Sequence, residues 1–248
     1  MRPRSLVQQV FVLLVSSTAL TGCAGLSTKT FVYPSSSQRL VKLHISPKRN
    51  EVVAVLPFED LRGTNNRFRG FFIYAVPGVW NGVIRYERPD TALMFNSMLR
   101  FKFHAPLDLA EAAAVSLRTS NLFRDVYVAL DGDPRHADLM FSGKVRSTRY
   151  EGKVYSYGLS IFGPLLWFVG LPTGSSTNEL KLELLMRDAD IDAPMWRYEF
   201  QKAKTITRGM YYNWNNWGRD VGLYSELMEE GMNEAIKDLD KKLPTLVQ

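Results

Sequence analysis

Four carboxylates, Asp188, Asp190, Asp192 and Glu199, fall at positions 1, 3, 5 and 12 of a calcium-loop spacing. Oxygen donors so spaced can wrap a hard cation, but that loop turns on a glycine where this chain has Ala193. The flanks alternate like strands rather than helices, so the stretch reads as a hairpin loop with solvated aspartates and no metal. A second cluster, Tyr211-Tyr212-Asn213-Trp214-Asn215-Asn216-Trp217, sets four rings among three amides. Rings beside amide donors can stack on sugars, which makes Tyr211, Tyr212, Trp214 and Trp217 candidate ligand-stacking residues. The same rings would also suit packing under a helix or an interfacial belt. His44, His104 and His136 stand apart, with no His-x-x-His or His-Glu-x-x-His spacing. There is no Gly-x-Ser-x-Gly and no phosphate loop. Spacing thus offers no catalytic residue, no metal site and no cofactor, and the chain reads as non-enzymatic.

The one cysteine has a different chemistry. Arg2 and Arg4 precede an apolar run from Val10 to Leu20 that ends in Leu20-Thr21-Gly22-Cys23. A basic start, about 7–15 apolar residues and small residues at the end describe a secretory signal and not a spanning helix. Leu-Thr-Gly-Cys resembles the lipobox of bacterial lipoproteins, a likeness confined to residues 1–24. It implies that the thiol of Cys23 receives a diacylglycerol, that 1–22 are removed as signal peptide, and that the new amine is acylated. Ala24 in place of an aspartate implies the outer membrane, with the protein facing the periplasm. Residues 23–39, rich in Ser and Thr and without periodicity, read as a lipid-anchored tether.

Cleavage leaves 226 of the 248 residues and a formal charge of +4 in place of +6. An apolar fraction of 46% and a charged fraction of 23% belong to a globular chain with a substantial core. With Cys23 acylated, no thiol remains for a disulfide, a zinc site or a nucleophile. A mild basic excess suits an anionic membrane surface or an acidic glycan. The export signal excludes nucleic acid.

The elements that must carry these residues fall in 40–248, read as one domain with insertions at 59–105 and 151–178. Leu40–Ile45 reads as a short strand. Val52–Phe58 reads as a strand buried on both faces and stopped near Pro57. Asn81-Gly82 between apolar runs reads as a hairpin turn. Pro106 opens a helix over 107–121, whose face carries Leu107, Ala110, Ala114 and Leu117 and whose stop is Asn121. Asp125–Leu130 is the next strand. Alternation around 139–145, 180–186 and 196–201 predicts an antiparallel meander with one buried face. An amphipathic helix over 221–243 ends at Lys241, Lys242 and Pro244. The fold class is α/β (α+β): a twisted mixed sheet with packed helices.

Residues 155–171 (YSYGLSIFGPLLWFVGL) carry no charge and are broken by Gly163-Pro164. Tyr155, Tyr157, Ile161, Phe162, Leu165, Trp167 and Phe168 are candidates for an interface or membrane contact. Three readings stay open: buried core or covered loop, subunit interface, or a hairpin touching the membrane. Between 59 and 105, arginines interleave with Phe68, Phe95, Phe101 and Phe103. They read either as core rings with solvated cations or as a binding face.

The element order resembles a group of bacterial envelope lipoproteins. These include the curli secretion channel lipoprotein, exopolysaccharide-export lipoproteins and the N-terminal domain of the Tol-system propeller protein. Val53–Phe58, Leu122–Val126 after a helix, and Ala137-Asp138 before a strand carry the resemblance over 50–242; the insertion at 59–105 departs from it. It implies an outer-membrane scaffold or accessory of envelope assembly or export, with a protein partner or homo-oligomer. A glycan- or small-ligand-binding lipoprotein is the alternative, and a cell-wall hydrolase a third.

Overall fold

In the computed structural model, residues 29–34, 40–45, 47–69, 71–91, 101–131, 134, 136–213 and 219–246 are described. The strands are β1 (Lys29–Thr30), β2 (Val52–Val55), β3 (Glu59–Asp60), β4 (Asn66–Arg69), β5 (Asn81–Tyr86) and β6 (Phe101–Lys102). Helix α1 (Ala105–Ser120) follows, then β7 (Asp125–Val128), β8 (Leu139–Ser147), β9 (Tyr150–Tyr155) and the single turn α2 (Leu165–Phe168). The last elements are β10 (Gly174–Asp188), β11 (Pro194–Arg208) and α3 (Arg219–Leu246).

The β10–β11 hairpin is the spine, paired from Gly174↔Arg208 to Met186↔Trp196. The other side of β10 is shared, by β8 against Lys181–Asp188 and by β9 against Gly174–Asn178. β8 and β9 are therefore one long run bent at Thr148-Arg149. Beyond β8 lie the parallel strands β2 and β7; beyond β9 lie the antiparallel strands β5 and β4. With β3 beside β8, this makes a nine-stranded mixed sheet that forks into two wings.

Alternation decides which face is covered. Leu180, Leu182, Leu184 and Met186 are buried with Trp196 and Phe200 beneath α3, while α1 covers β2, β7 and β8. On the other face, Glu183 takes Arg146 and Arg197, and Lys181 takes Glu199. Every residue of the expected stripe on α3 is buried: Leu223, Tyr224, Leu227, Met228, Met232, Ala235, Ile236 and Leu239. Gly231 stands within that continuous helix at a point where a Cβ would lie 2.3 Å from the Phe200 ring. On α1 the buried face is wider than predicted, since the helix touches the sheet and α3 together. Leu109, Ala112 and Ala113 are enclosed, and Leu107 is only half-buried. Asn121 closes α1 in the left-handed conformation at φ 56°, as an αL stop does.

Several expectations are corrected. Residues 40–45 form no strand. They run as a strap over the ends of α1 and α3, with the Leu43 and His44 amides donating to the Ser120 carbonyl and the Val41 amide to Asn233. Asn81-Gly82 is no turn but the start of β5, because the β4–β5 connection makes a longer excursion that includes 71–80. Strands β3, β4 and β5 lie inside the stretch read as an insertion at 59–105, and β9 and the start of β10 inside that at 151–178. What leaves the sheet, among the described residues, is 71–80 and 156–173. α3 continues through Pro244 to Leu246. Part of the expected tether is docked: β1 pairs with β6, Phe31 stacks on Phe103, Tyr33 meets Ser116, and Ser225 donates to the Val32 carbonyl.

Candidate functional site

The two excursions come together because their strands are neighbours. Asn81 at the start of β5 faces Tyr155 at the end of β9, and Gly174 at the start of β10 faces both Val154 and Arg208. Residues 71–80, 156–173 and the turn at 209–213 therefore leave the sheet from the same end of one wing.

They build a tip whose polar atoms point inward. The amides of Ser156 and Tyr157 donate to the Trp80 carbonyl, and that of Gly78 to the Gly158 carbonyl. The Ser156 hydroxyl donates to the Val79 carbonyl at 2.6 Å, and the Ser160 hydroxyl to that of Tyr74. Tyr157 donates to Pro172 at 2.6 Å, Trp167 Nε1 to Tyr155 at 3.0 Å, and Tyr211 to Phe168 at 2.6 Å, each to a backbone carbonyl. Gly163 closes the turn where a Cβ would stand 2.2 Å from the Ser156 carbonyl oxygen. The serines that suggested strand alternation are thus turn residues. Only Tyr155 of 155–161 is strand; Ser160–Phe162 is a 3-10 turn and Leu165–Phe168 a helical one.

The apolar side chains face outward. Phe72 is 75% exposed, Trp80 67%, Ile161 67% and Phe162 62%, with Val76, Leu159, Leu165, Phe168, Val169 and Leu171 also open. Tyr155, Tyr157 and Trp167 are half-buried. The buried-core reading of 155–171 is therefore overturned. Aromatic side chains carry about 150–250 Å² each, so Phe72, Trp80, Phe162 and Phe168 alone leave roughly 500 Å² of ring open. That rivals the largest apolar patch of an ordinary monomer. Phe72, Val76 and Trp80 were missed as site residues in the sequence, although no charged residue occurs between Arg69 and Arg85. The acid nearest the tip is Glu151, held by Arg85 at 2.6 Å and Lys153 at 3.0 Å. Burial pushes its carboxyl up, but the two cations outweigh burial and hold it below its usual range.

The other candidates lie apart. Asp188 accepts the amides of Asp190 and Ile191, Asp192 pairs with Arg187, and Glu199 lies on β11 with Lys181, so the four carboxylates do not converge. Tyr211 and Tyr212 are exposed, the former lying against the tip; Trp214, Trp217 and Cys23 fall outside the described residues. His44 pairs with Asp240 on the strap, the His104 amide donates to Asp108, and His136 is exposed. Among the described residues no group of three or more His, Cys, Asp or Glu could hold a metal ion, and no helix is long and apolar enough to cross a membrane.

Where the wings divide, Arg62 is enclosed, its side chain only 2% exposed. It reaches Asp60 through two hydrogen bonds of 2.9 Å, Asp90 at 2.8 Å and Thr148 at 2.9 Å. The guanidinium bonded to Asp60 holds that carboxyl below its usual range. Tyr224, fully buried on α3, donates to the Thr148 carbonyl at 2.8 Å. The network joins both wings to α3 and is structural.

No known family model matches the chain, and no curated protein resembles it significantly. The chain is similar to a number of solved structures, three of them as follows. Protein XCC0632 from Xanthomonas campestris, of family DUF330, shares 9% identity at a TM-score of 0.44, covering 85% of this chain and 92% of that one. A PelC dodecamer from Paraburkholderia phytofirmans, solved as a point variant, shares 14% identity at 0.35, covering 79% and 92%. An uncharacterized protein shares 11% identity at 0.33, covering 86% and 99%. The functional reading rests on this chain's own residues.

Proposed function

We propose that this chain is a non-enzymatic lipoprotein, anchored through acylated Cys23 to the outer membrane and facing the periplasm. There it serves as a scaffold or accessory of envelope assembly or export. The observation that carries the reading is the tip: the most distinctive surface of the wing is built for association, its polar groups bonded inward and its rings outward. The lipobox-like Leu20–Cys23 supplies the anchor in this reading.

Fatty-acid labelling tests the anchor. One acyl chain holds a protein only marginally and each buried CH₂ adds about 0.8 kcal/mol, so several chains give firm attachment. The wild-type chain should take up labelled fatty acid and sediment with membranes, whereas Cys23→Ser should remain uncut or be released without label. Labelling that persists in Cys23→Ser would overturn the assignment.

A further inference from the structure

Four stretches lead to and from the tip end of the wing: 61–69, 71–86, 152–178 and 200–213. None contains an aspartate or a glutamate, although acids flank them at Asp60, Glu87, Glu151, Glu179, Glu199 and Asp220. Their charges are all basic and sit behind the tip. By register Arg69 lies opposite Val83, Lys153 opposite Val83 and Ser175, and Arg208 opposite Gly174, which places all three at the strand ends from which the excursions leave. An uncharged tip backed by strand ends of net basic charge has no counterpart on the other sheet face, where Glu183 and Glu199 alternate with Arg146, Lys181 and Arg197.

We infer that the tip formed by 71–80 and 156–173 is a second membrane contact, inserted into the headgroup–acyl boundary of an anionic bilayer, an inference that rests on the lipid-anchor reading. A protein-binding surface ordinarily surrounds an apolar centre with polar groups of both signs. Here the rings lead and the charge behind them is net basic, Glu151 being outnumbered by Arg85 and Lys153, which matches an apolar face sunk about 5–10 Å with basic residues at the lipid phosphates. Inward bonding of Tyr157, Trp167 and Tyr211 removes the donors that insertion would otherwise strand without partners.

The docked part of the tether sets how far the anchor can lie from the tip. Lys29 is fixed against Phe101 and Thr30 lies beside Asp90 and His104, just past the Tyr86 end of β5. Six residue steps from Cys23 to Lys29 reach at most ~20 Å. From Tyr86 to Asn81, β5 covers about 17 Å toward the tip. The two lengths are comparable, so the anchor can reach the Asn81 end of the wing, from which the tip projects.

The mature chain from residue 23 with Cys23→Ser has no thiol, so one introduced cysteine can carry an environment-sensitive dye. Phe162→Cys reports the tip, and Gln201→Cys, exposed on β11, reports the polar face. With vesicles of anionic and zwitterionic phospholipid, the dye at 162 should shift to the blue and lose more than half its emission to lipids brominated near the carbonyl. The dye at 201 should do neither, and both effects at 162 should weaken on purely zwitterionic vesicles. Equal, water-like emission at both positions would overturn the inference. A blue shift at 162 that appears without lipid and grows with protein concentration would also overturn it, assigning the tip to a second copy. The measurement needs no acyl chain, so failure of fatty-acid labelling at Cys23 would remove the anchor and leave this result to be read by itself.

Discussion

Arg62 shows how one residue can hold two pieces of a sheet together. Its enclosed guanidinium lies between Asp60 and Asp90, and removing it would leave two carboxylates facing each other with only the more distant Arg88, 3.6 Å from Asp60. Breaking such a pair costs about 3–5 kcal/mol, more than a surface ion pair contributes. Arg62→Met should therefore lose that much stability in urea titrations at pH 7. The pH dependence has a definite sign. Asp60 is depressed below its ordinary 3.8 in the folded wild type, so its contribution is full above that value and fades as pH falls through it. In Arg62→Met the bonds that cause most of the depression are gone and only Arg88 remains beside Asp60, so the deficit should hold from pH 7 down to about pH 4 and shrink as pH falls below it. A deficit that stays constant with pH would show that packing rather than charge accounts for the loss. Nothing in the spacing of Asp60, Arg62 and Asp90 announced this cluster, because Thr148 and Tyr224, which complete it, come from distant parts of the chain.

At the scale of elements, strict periodicity was legible and irregular backbone was not. The stripes on β10 and α3 are stated by residue type alone, since each places apolar side chains on one face. The strap at 40–45 has a strand's composition, but its amides find the Ser120 carbonyl and the Asn233 side chain instead of a ladder. Asn81-Gly82 has a turn's composition, and its pairing with β9 makes it strand. Gly231 is the instructive case: helix propensity counts it as a loss of about 1 kcal/mol against alanine, while the Phe200 ring occupies the space a methyl would need. The contact should outweigh the propensity. Gly231→Ala should destabilise by about 1–3 kcal/mol, the usual range for overpacking, in thermal and urea unfolding. A stabilised variant would show that Phe200 gives way freely.

Across the whole molecule, the candidate site was half legible. The uncharged run 155–171 stood out, but its exposure did not, because an apolar run reads the same in a core as on a surface. Its companion, 71–80, was hidden by the turn signal at Asn81-Gly82, and only the register of β5 against β9 brings Trp80 onto Ser156 and Tyr157. The fork in the sheet then sets this wing apart from the helices and leaves its end bare. If that end is built to enter a bilayer, the mature chain with Cys23→Ser, without any lipid of its own, should float with anionic vesicles in a density gradient. Phe162→Asp, which puts a charge where the tip would be sunk, should abolish flotation and leave circular dichroism and the melting temperature unchanged. A chain that stays at the bottom, or a Phe162→Asp variant that floats as well as its parent, would contradict the account.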